Sequence, residues 1–332
     1  NSNTFLCVIK LSFNRKRFKM LRLNTLLSKT VCLTNDRDST SITEFFMTGQ
    51  TTTPVKSQKI HAVMNGSLLI AALKHVLRGE LGLRGGHIPP AGHVVATDFA
   101  GVGVTASADP AVDDFILERL SELGIRNVRI DFSYGDEQGP VARLLERLLD
   151  TDIQVLLHLV QPFDAAYAMK QAEPQQRWRE FVTQACERFG QRVYAIEVCS
   201  TINRRRWAGY DTDGFFTTWQ IAFDEIKSCG IRLAGPNISD FEPFYTMSVF
   251  ERSRKAGQLP DIHTNNLFCE RVTEPERYDH RILGFQWATR LKVNLVKKAR
   301  LLQNIAARQG VADQVSPAAF WTLPRIERLL VI

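Results

Sequence analysis

From residue 94 onward, apolar strand-like runs alternate with segments of helical spacing, joined by short connections. Strands are expected at 94–104, 125–132 (IRNVRIDF), 153–160 (IQVLLHLV), 193–198, 231–236 (IRLAGP), 261–268 (DIHTNNLF) and 318–322 (AAFWT). Helices are expected at 109–123, 140–149, 174–189, 213–229, 245–256 and 289–308. The first helix opens on Asp109-Pro110, an N-cap followed by Pro at the first helical position, and ends at Gly124. An alternation of this kind forces a parallel sheet with right-handed crossovers. A doubly wound open sheet and a (β/α)8 barrel both satisfy it. No GxGxxG or GxxxxGK[ST] follows an early strand, and polar residues recur just past the strand ends. The expected fold is therefore an α/β protein of (β/α)8 TIM-barrel type. About seven strands fit within 94–332, so the barrel is expected to be incomplete at its C-terminal end.

Ahead of the barrel, 59–93 reads as a helix over 60–78 and a Gly/Pro loop. Residues 1–58 are basic and rich in Ser, Thr and Asn, and are expected to form an irregular, disordered extension. Up to Lys29 this segment holds no acid, a pattern that a transit peptide shares with a plain tail. The net charge of +7 sits wholly in the first 60 residues, where ten Lys/Arg meet three acids. The remaining 272 residues sum to zero, so no nucleic-acid face is expected on the main domain. At 44% apolar and 23% charged, the composition is that of a soluble globular protein, not a fibrous or coiled-coil chain. No apolar run approaches about 18 residues, so no membrane span is expected. The six Cys are scattered without CxxC, which argues against a disulfide framework and a metal site. Reduced thiols favour a cytoplasmic setting, and no cofactor is implied.

The most informative stretch is 193–210, VYAIEVCSTINRRRWAGY. An apolar strand opens into Ser200, Thr201, Asn203, three arginines, Trp207 and Tyr210. In such folds the strand fixes position and the loop after it carries chemistry. Period-two alternation puts Glu197 on one face with Cys199 and Thr201, toward the barrel interior. There it is either a reactive carboxylate or a buried glutamate paired with an arginine. Other strand ends supply Arg129 and Asp131, His158, Asp240 and Glu242 in NISDFEPF, and His263 in DIHTNN. Each has an ordinary alternative: an ion pair for Arg129 with Asp131, a core histidine for His158, a helix N-cap for Asp240. Trp207 and Trp321 either stack on sugar faces or pack in the core. Arg204-Arg205-Arg206 either binds an anion or is solvated, since successive side chains diverge.

Residues 197–203 read Glu-Val-Cys-Ser-Thr-Ile-Asn, and 320–323 read Phe-Trp-Thr-Leu. In order and spacing, these strand ends resemble the (β/α)8 glycoside hydrolases that retain anomeric stereochemistry, over roughly 94–322. In that family the fourth strand ends close to E-[IV]-x-N-E-P-N, whose second Glu is the acid/base. The seventh ends close to W-[IVT]-T-E, whose Glu is the nucleophile. The resemblance implies an oligosaccharide or polysaccharide ligand at the C-terminal ends of the strands. Arg129, Asp131, His158, Asn203, Trp207, Asp240, His263 and Trp321 would then line the site.

The acid/base position falls on Thr201 and the nucleophile position on Leu323. Retaining hydrolysis needs two carboxyl groups about 5–5.5 Å apart, one protonated and one ionised. Neither Thr nor Leu can serve, so an active glycosidase would have to use Glu242 or Glu197. Three readings stand: a glycosidase with relocated carboxylates, a carbohydrate-binding pseudo-glycosidase lacking both usual carboxylates, or a chain altered near its C-terminal end. A basic-tailed binder of nucleic acid or membrane surfaces is a further class, which the neutral main domain argues against.

Overall fold

The computed structural model describes residues 5–10, 70, 100–267, 295–311 and 313–316. Its strands are β1 (Phe5–Lys10), β2 (Ala100–Val104), β3 (Asn127–Ser133), β4 (Gln154–Val160) and β5 (Ala195–Val198). They continue with β6 (Leu233–Ala234), β7 (Ile238–Ser239), β8 (Ile262–Asn266) and β9 (Asp313–Ser316). Parallel pairing runs β6-β5-β4-β3-β2-β1-β9-β8, and β8 pairs back to β6 through Ala234 and Ile262. The sheet therefore closes as a ring of eight parallel strands, the (β/α)8 class expected from the alternation. The two-residue β7 lies at the C-terminal end of β8, with Ile238 opposite Asn265.

The helices are α1 (Pro110–Glu122), α2 (Pro140–Leu149), α3 (Phe163–Tyr167), α4 (Ala172–Phe189), α5 (Arg205–Ala208), α6 (Thr212–Ser228), α7 (Pro243–Lys255) and α8 (Leu295–Arg308). α1 begins as its sequence requires: the Asp109 carboxylate accepts from the Ala111 amide at 2.9 Å, with Pro110 next to the cap. No helix among the described residues is long and apolar enough to cross a membrane.

Two differences from expectation concern how the ring is completed. Residues 1–58 were expected to be irregular, but Phe5–Lys10 is a barrel strand. Cys7 sits opposite Ala100 of β2 and Phe5 opposite Gln314 of β9. Five of the six residues of FLCVIK are apolar, as in strands paired on both sides within a parallel sheet. Its place in the ring gives both β2 and β9 a partner and removes two open edges. The last strand is Asp313–Ser316, whereas the expected strand at 318–322 lies outside the described residues. The expected helix at 60–78 also lies outside them, except for Ile70, which is helical and exposed.

Alternation along the strands separates two cores. Val128, Ile130 and Phe132 of β3, Val155, Leu157 and Leu159 of β4, and Ile196 and Val198 of β5 face the helices. They pack with Leu144, Leu145 and Leu148 of α2, Trp178 and Val182 of α4, and Phe215, Trp219 and Ile226 of α6. The opposite parity, Leu156, Ala195, Ala234 and Ile262, meets in a small cluster inside the ring. That cluster plugs the N-terminal half of the lumen. The polar residues of the same parity are left to line its C-terminal half.

Candidate functional site

Register sets the first group of side chains. Asp131 of β3, His158 of β4 and Glu197 of β5 are direct neighbours across the sheet. Arg129 sits one inward position lower on β3, and its length takes it past β4. Its Nε donates to Glu197 Oε2 at 2.6 Å, and its Nη1 donates to Asp131 Oδ1 at 2.7 Å. The same Asp131 oxygen accepts from His158 Nδ1 at 2.9 Å. A nitrogen facing a carboxylate must carry the proton, so His158 donates to Asp131 through Nδ1. Nε2 is buried and has no hydrogen-bond partner.

Glu197 is fully buried. Burial opposes its ionisation, but the charge and the hydrogen bond of Arg129 outweigh that, holding the carboxyl below its usual value. Asn237 completes its shell. The Asn237 Nδ2 group donates to Glu197 Oε1 at 3.2 Å and to Asn266 Oδ1 at 3.0 Å. Glu197 can only accept, so the amide orientation is determined, and Asn237 Oδ1 is left as a buried acceptor without a donor.

A second group lies in the loops just beyond the strands. After Val198 the chain turns left-handed at Cys199 (φ 62°) and Thr201 (φ 57°), and again at Asp240 (φ 63°). These are the non-glycine residues of positive φ among the described residues, and all three stand at the C-terminal mouth of the ring. For a β-branched residue such as Thr201 this conformation costs on the order of 1–3 kcal/mol and persists only where surroundings enforce it. A short ladder enforces it here. The Asn237 amide donates to Cys199 O at 3.0 Å, and the Ile202 amide donates to Asn237 O at 3.1 Å. Asn203 then clasps Ser239 in both directions, accepting from its amide at 2.9 Å and donating to its carbonyl at 2.8 Å. Gly235, at φ 123°, lets the chain pass close to Val198, because a Cβ there would come within 2.6 Å of the Val198 carbonyl oxygen.

Arg204 projects from the end of this ladder. Its Nη2 donates to Asp240 Oδ2 at 2.7 Å and to Glu242 Oε1 at 3.2 Å. Glu242 immediately precedes α7, and its side chain makes no cap to that helix. On the rim, Trp207 of α5 is 67% exposed, beside exposed Phe163 and Tyr167 of α3. The Arg205 guanidinium lies 5.2 Å from the Tyr167 ring centre.

The expected site residues therefore separate. Arg129, Asp131, His158 and Glu197 come together in the lumen, while Asp240 and Glu242 meet around Arg204. Asn203 is turned into a backbone clasp. His263 is not brought to the site: its parity directs it to the helix layer, where it packs edge-on against Phe250 at 5.0 Å. The expected sharing of one face by Glu197, Cys199 and Thr201 ends at Glu197. The left-handed turn sends Cys199 into the outer core. Trp321 and Leu323 lie outside the described residues. Arg204 and Asn237 emerge from the structure as site residues. Asn237 had only its position after a strand as a signal, and Arg204 was one of three arginines in a row. Among the described residues, no three His, Cys, Asp or Glu side chains gather as a metal would require.

No family model matches the chain, and no curated protein matches it. Solved structures similar to it include a monomeric β-xylosidase from Caulobacter crescentus CB15, 16% identical, with a TM-score of 0.37. That match covers 48% of this chain and 39% of the xylosidase, so the chain spans about two fifths of its length. The GH53 catalytic domain of Ignisphaera aggregans is 12% identical, with a TM-score of 0.42 over 69% of this chain and 87% of that one. An L-ribulose 3-epimerase is 12% identical, with a TM-score of 0.36 over 69% and 83%. Likenesses of this size say nothing about chemistry, and the functional reading rests on the site alone.

Proposed function

We propose that the chain is a carbohydrate-binding barrel of glycosidase type that does not hydrolyse glycosides. The observation that carries this reading is the state of Glu197. It is a fully buried carboxylate of the lumen, it is held ionised, and its two oxygens are engaged by Arg129 and Asn237. Double displacement needs a protonated carboxyl opposite an ionised one. Asp131, the carboxylate closest to Glu197 in register, is itself occupied by Arg129 and His158. Thr201 stands where an acid would be expected, and Glu242 is drawn to Arg204. Asn237 Oδ1 is left as a fixed acceptor, which suits a hydroxyl donor of a sugar. Exposed Trp207 offers a ring face at the mouth.

The test places the protein before a panel of aryl glycosides and, separately, of oligosaccharides, with Glu197→Gln and Glu242→Gln beside it. Oligosaccharide binding without turnover is the expected result. Turnover lost in either variant would restore the enzyme reading, and binding to no sugar would remove both.

A further inference from the structure

Of the three consecutive arginines, the ladder at the mouth engages only the first. The Arg204 side chain is 11% exposed and is held by Asp240 and Glu242. Arg205 and Arg206 stand exposed on α5, and among the described residues neither has a carboxylate within ion-pairing distance. Elsewhere Arg143, Arg179, Arg192 and Arg232 each hold one. Asp211, the acid next along the chain, is already engaged: Oδ2 by Lys170 at 2.6 Å and Oδ1 by the Gly214 amide at 2.8 Å. The end of α5 is seated on α3 at Gly209, where a Cβ would come within 2.5 Å of the Phe163 carbonyl oxygen. On α3 the Phe163 and Tyr167 rings lie 6.4 Å apart and within 16° of parallel. The Arg205 guanidinium lies over Tyr167, and Trp207 stands exposed on the same short helix as Arg205. Across α3 and α5, two arginines meet one carboxylate, Asp164, so the aromatic strip is cationic by one charge.

We infer that this strip selects acidic polysaccharides, holding the carboxylate or sulfate groups of the chain at the rim, outside the lumen. The inference rests on the carbohydrate reading above and narrows it. Stacking on Tyr167 orients the Arg205 guanidinium and leaves its N–H edges open, and that planar fork matches two oxygens of a carboxylate or a sulfate. Sugar rings between the anionic groups pack on the faces of Trp207 and Phe163. The lumen has no such cation to offer, because Arg129 is held between Glu197 and Asp131. An anionic group therefore gains at the rim and gains nothing deeper in. A single acidic sugar is a poor ligand on this account. A chain with repeated anionic groups is a good one, since each contact raises the local concentration of the next.

The full-length protein titrated calorimetrically with a neutral xylo-oligosaccharide, an oligogalacturonate and a sulfated oligosaccharide of equal length tests the idea. At low salt an acidic chain should bind about tenfold tighter than the neutral one, and the ratio should fall toward one at high salt. The same ratio should fall toward one in the double variant Arg205→Gln with Arg206→Gln, and only part-way in Arg205→Lys, which keeps the charge but not the fork. The two acidic arms separate carboxylate from sulfate as the group preferred. A ratio near one in the wild type with the neutral chain still bound, or a preference unchanged in the double variant, would overturn the inference and leave the carbohydrate reading standing. Binding to no sugar would remove both. An oligothymidylate of equal charge bound as tightly as the acidic chain would show that the strip reads charge without reading sugar, and would also overturn it.

Discussion

His263 is fully buried, neither ring nitrogen has a hydrogen-bond partner, and Phe250 closes over it. Burial pushes its pKa down to about 3 from an ordinary 6.5. Between those values the unfolded chain takes up a proton that the folded chain refuses. The stability tied to this group is complete above about pH 6.5 and is lost as pH falls from there toward 3, at about 1.4 kcal/mol per pH unit. Urea unfolding at pH 7, 6 and 5 should show the wild type weakening faster than His263→Leu; equal slopes would mean that water reaches the ring. Glu197 works in the same direction at lower pH, because its depressed carboxyl withdraws its contribution only as pH falls below the ordinary carboxylate range. The lumen position of Glu197 was legible in the period-two pattern, as was the ion pair of Arg129 with Asp131. The outward turn of His263 obeys that same pattern. It was misread because polar neighbours in DIHTNN suggested a site, although alternation puts His263 on the opposite face from Thr264.

At the scale of elements, the site owes its shape to the ladder between residues 199–203 and 237–239. Asn203→Ala removes both clasps on Ser239 and leaves a buried amide and carbonyl unmatched, a loss of about 2–3 kcal/mol in denaturant unfolding. Asn203→Asp keeps an acceptor for the Ser239 amide and should fall between the two. If Asn203→Ala unfolds like the wild type, the clasp does not hold the turn. Strands and helices around this ladder were largely visible in sequence, because apolar periodicity and signals such as Asp109-Pro110 and Gly124 are local. The ladder was not visible. Cys199, Thr201 and Asp240 adopt left-handed backbone without being Gly, so no residue type announces the turn. The fifth expected strand, 231–236, is cut to two residues because the chain leaves the ring at Gly235 to reach this ladder.

For the whole molecule, the barrel class was legible in the alternation of elements, but its closure was not. β1 pairs with β2 and β9, segments roughly 90 and 300 positions away in the chain, and such pairing leaves no local trace. Deleting residues 1–10 should expose the edges of β2 and β9 together. The expected outcome, followed by circular dichroism, is loss of the single cooperative thermal transition and aggregation on heating. A deletion variant that melts like the parent would mean that the ring tolerates the gap. The same seam sets an order of events when the chain is made. At roughly 5–20 residues per second, β1 leaves the ribosome about 15–60 s before Asp313–Ser316 is synthesised. For that interval β1 has at most one of its two neighbours. Whatever shields the waiting edge from other nascent chains decides what fraction of the molecules ever completes the circle.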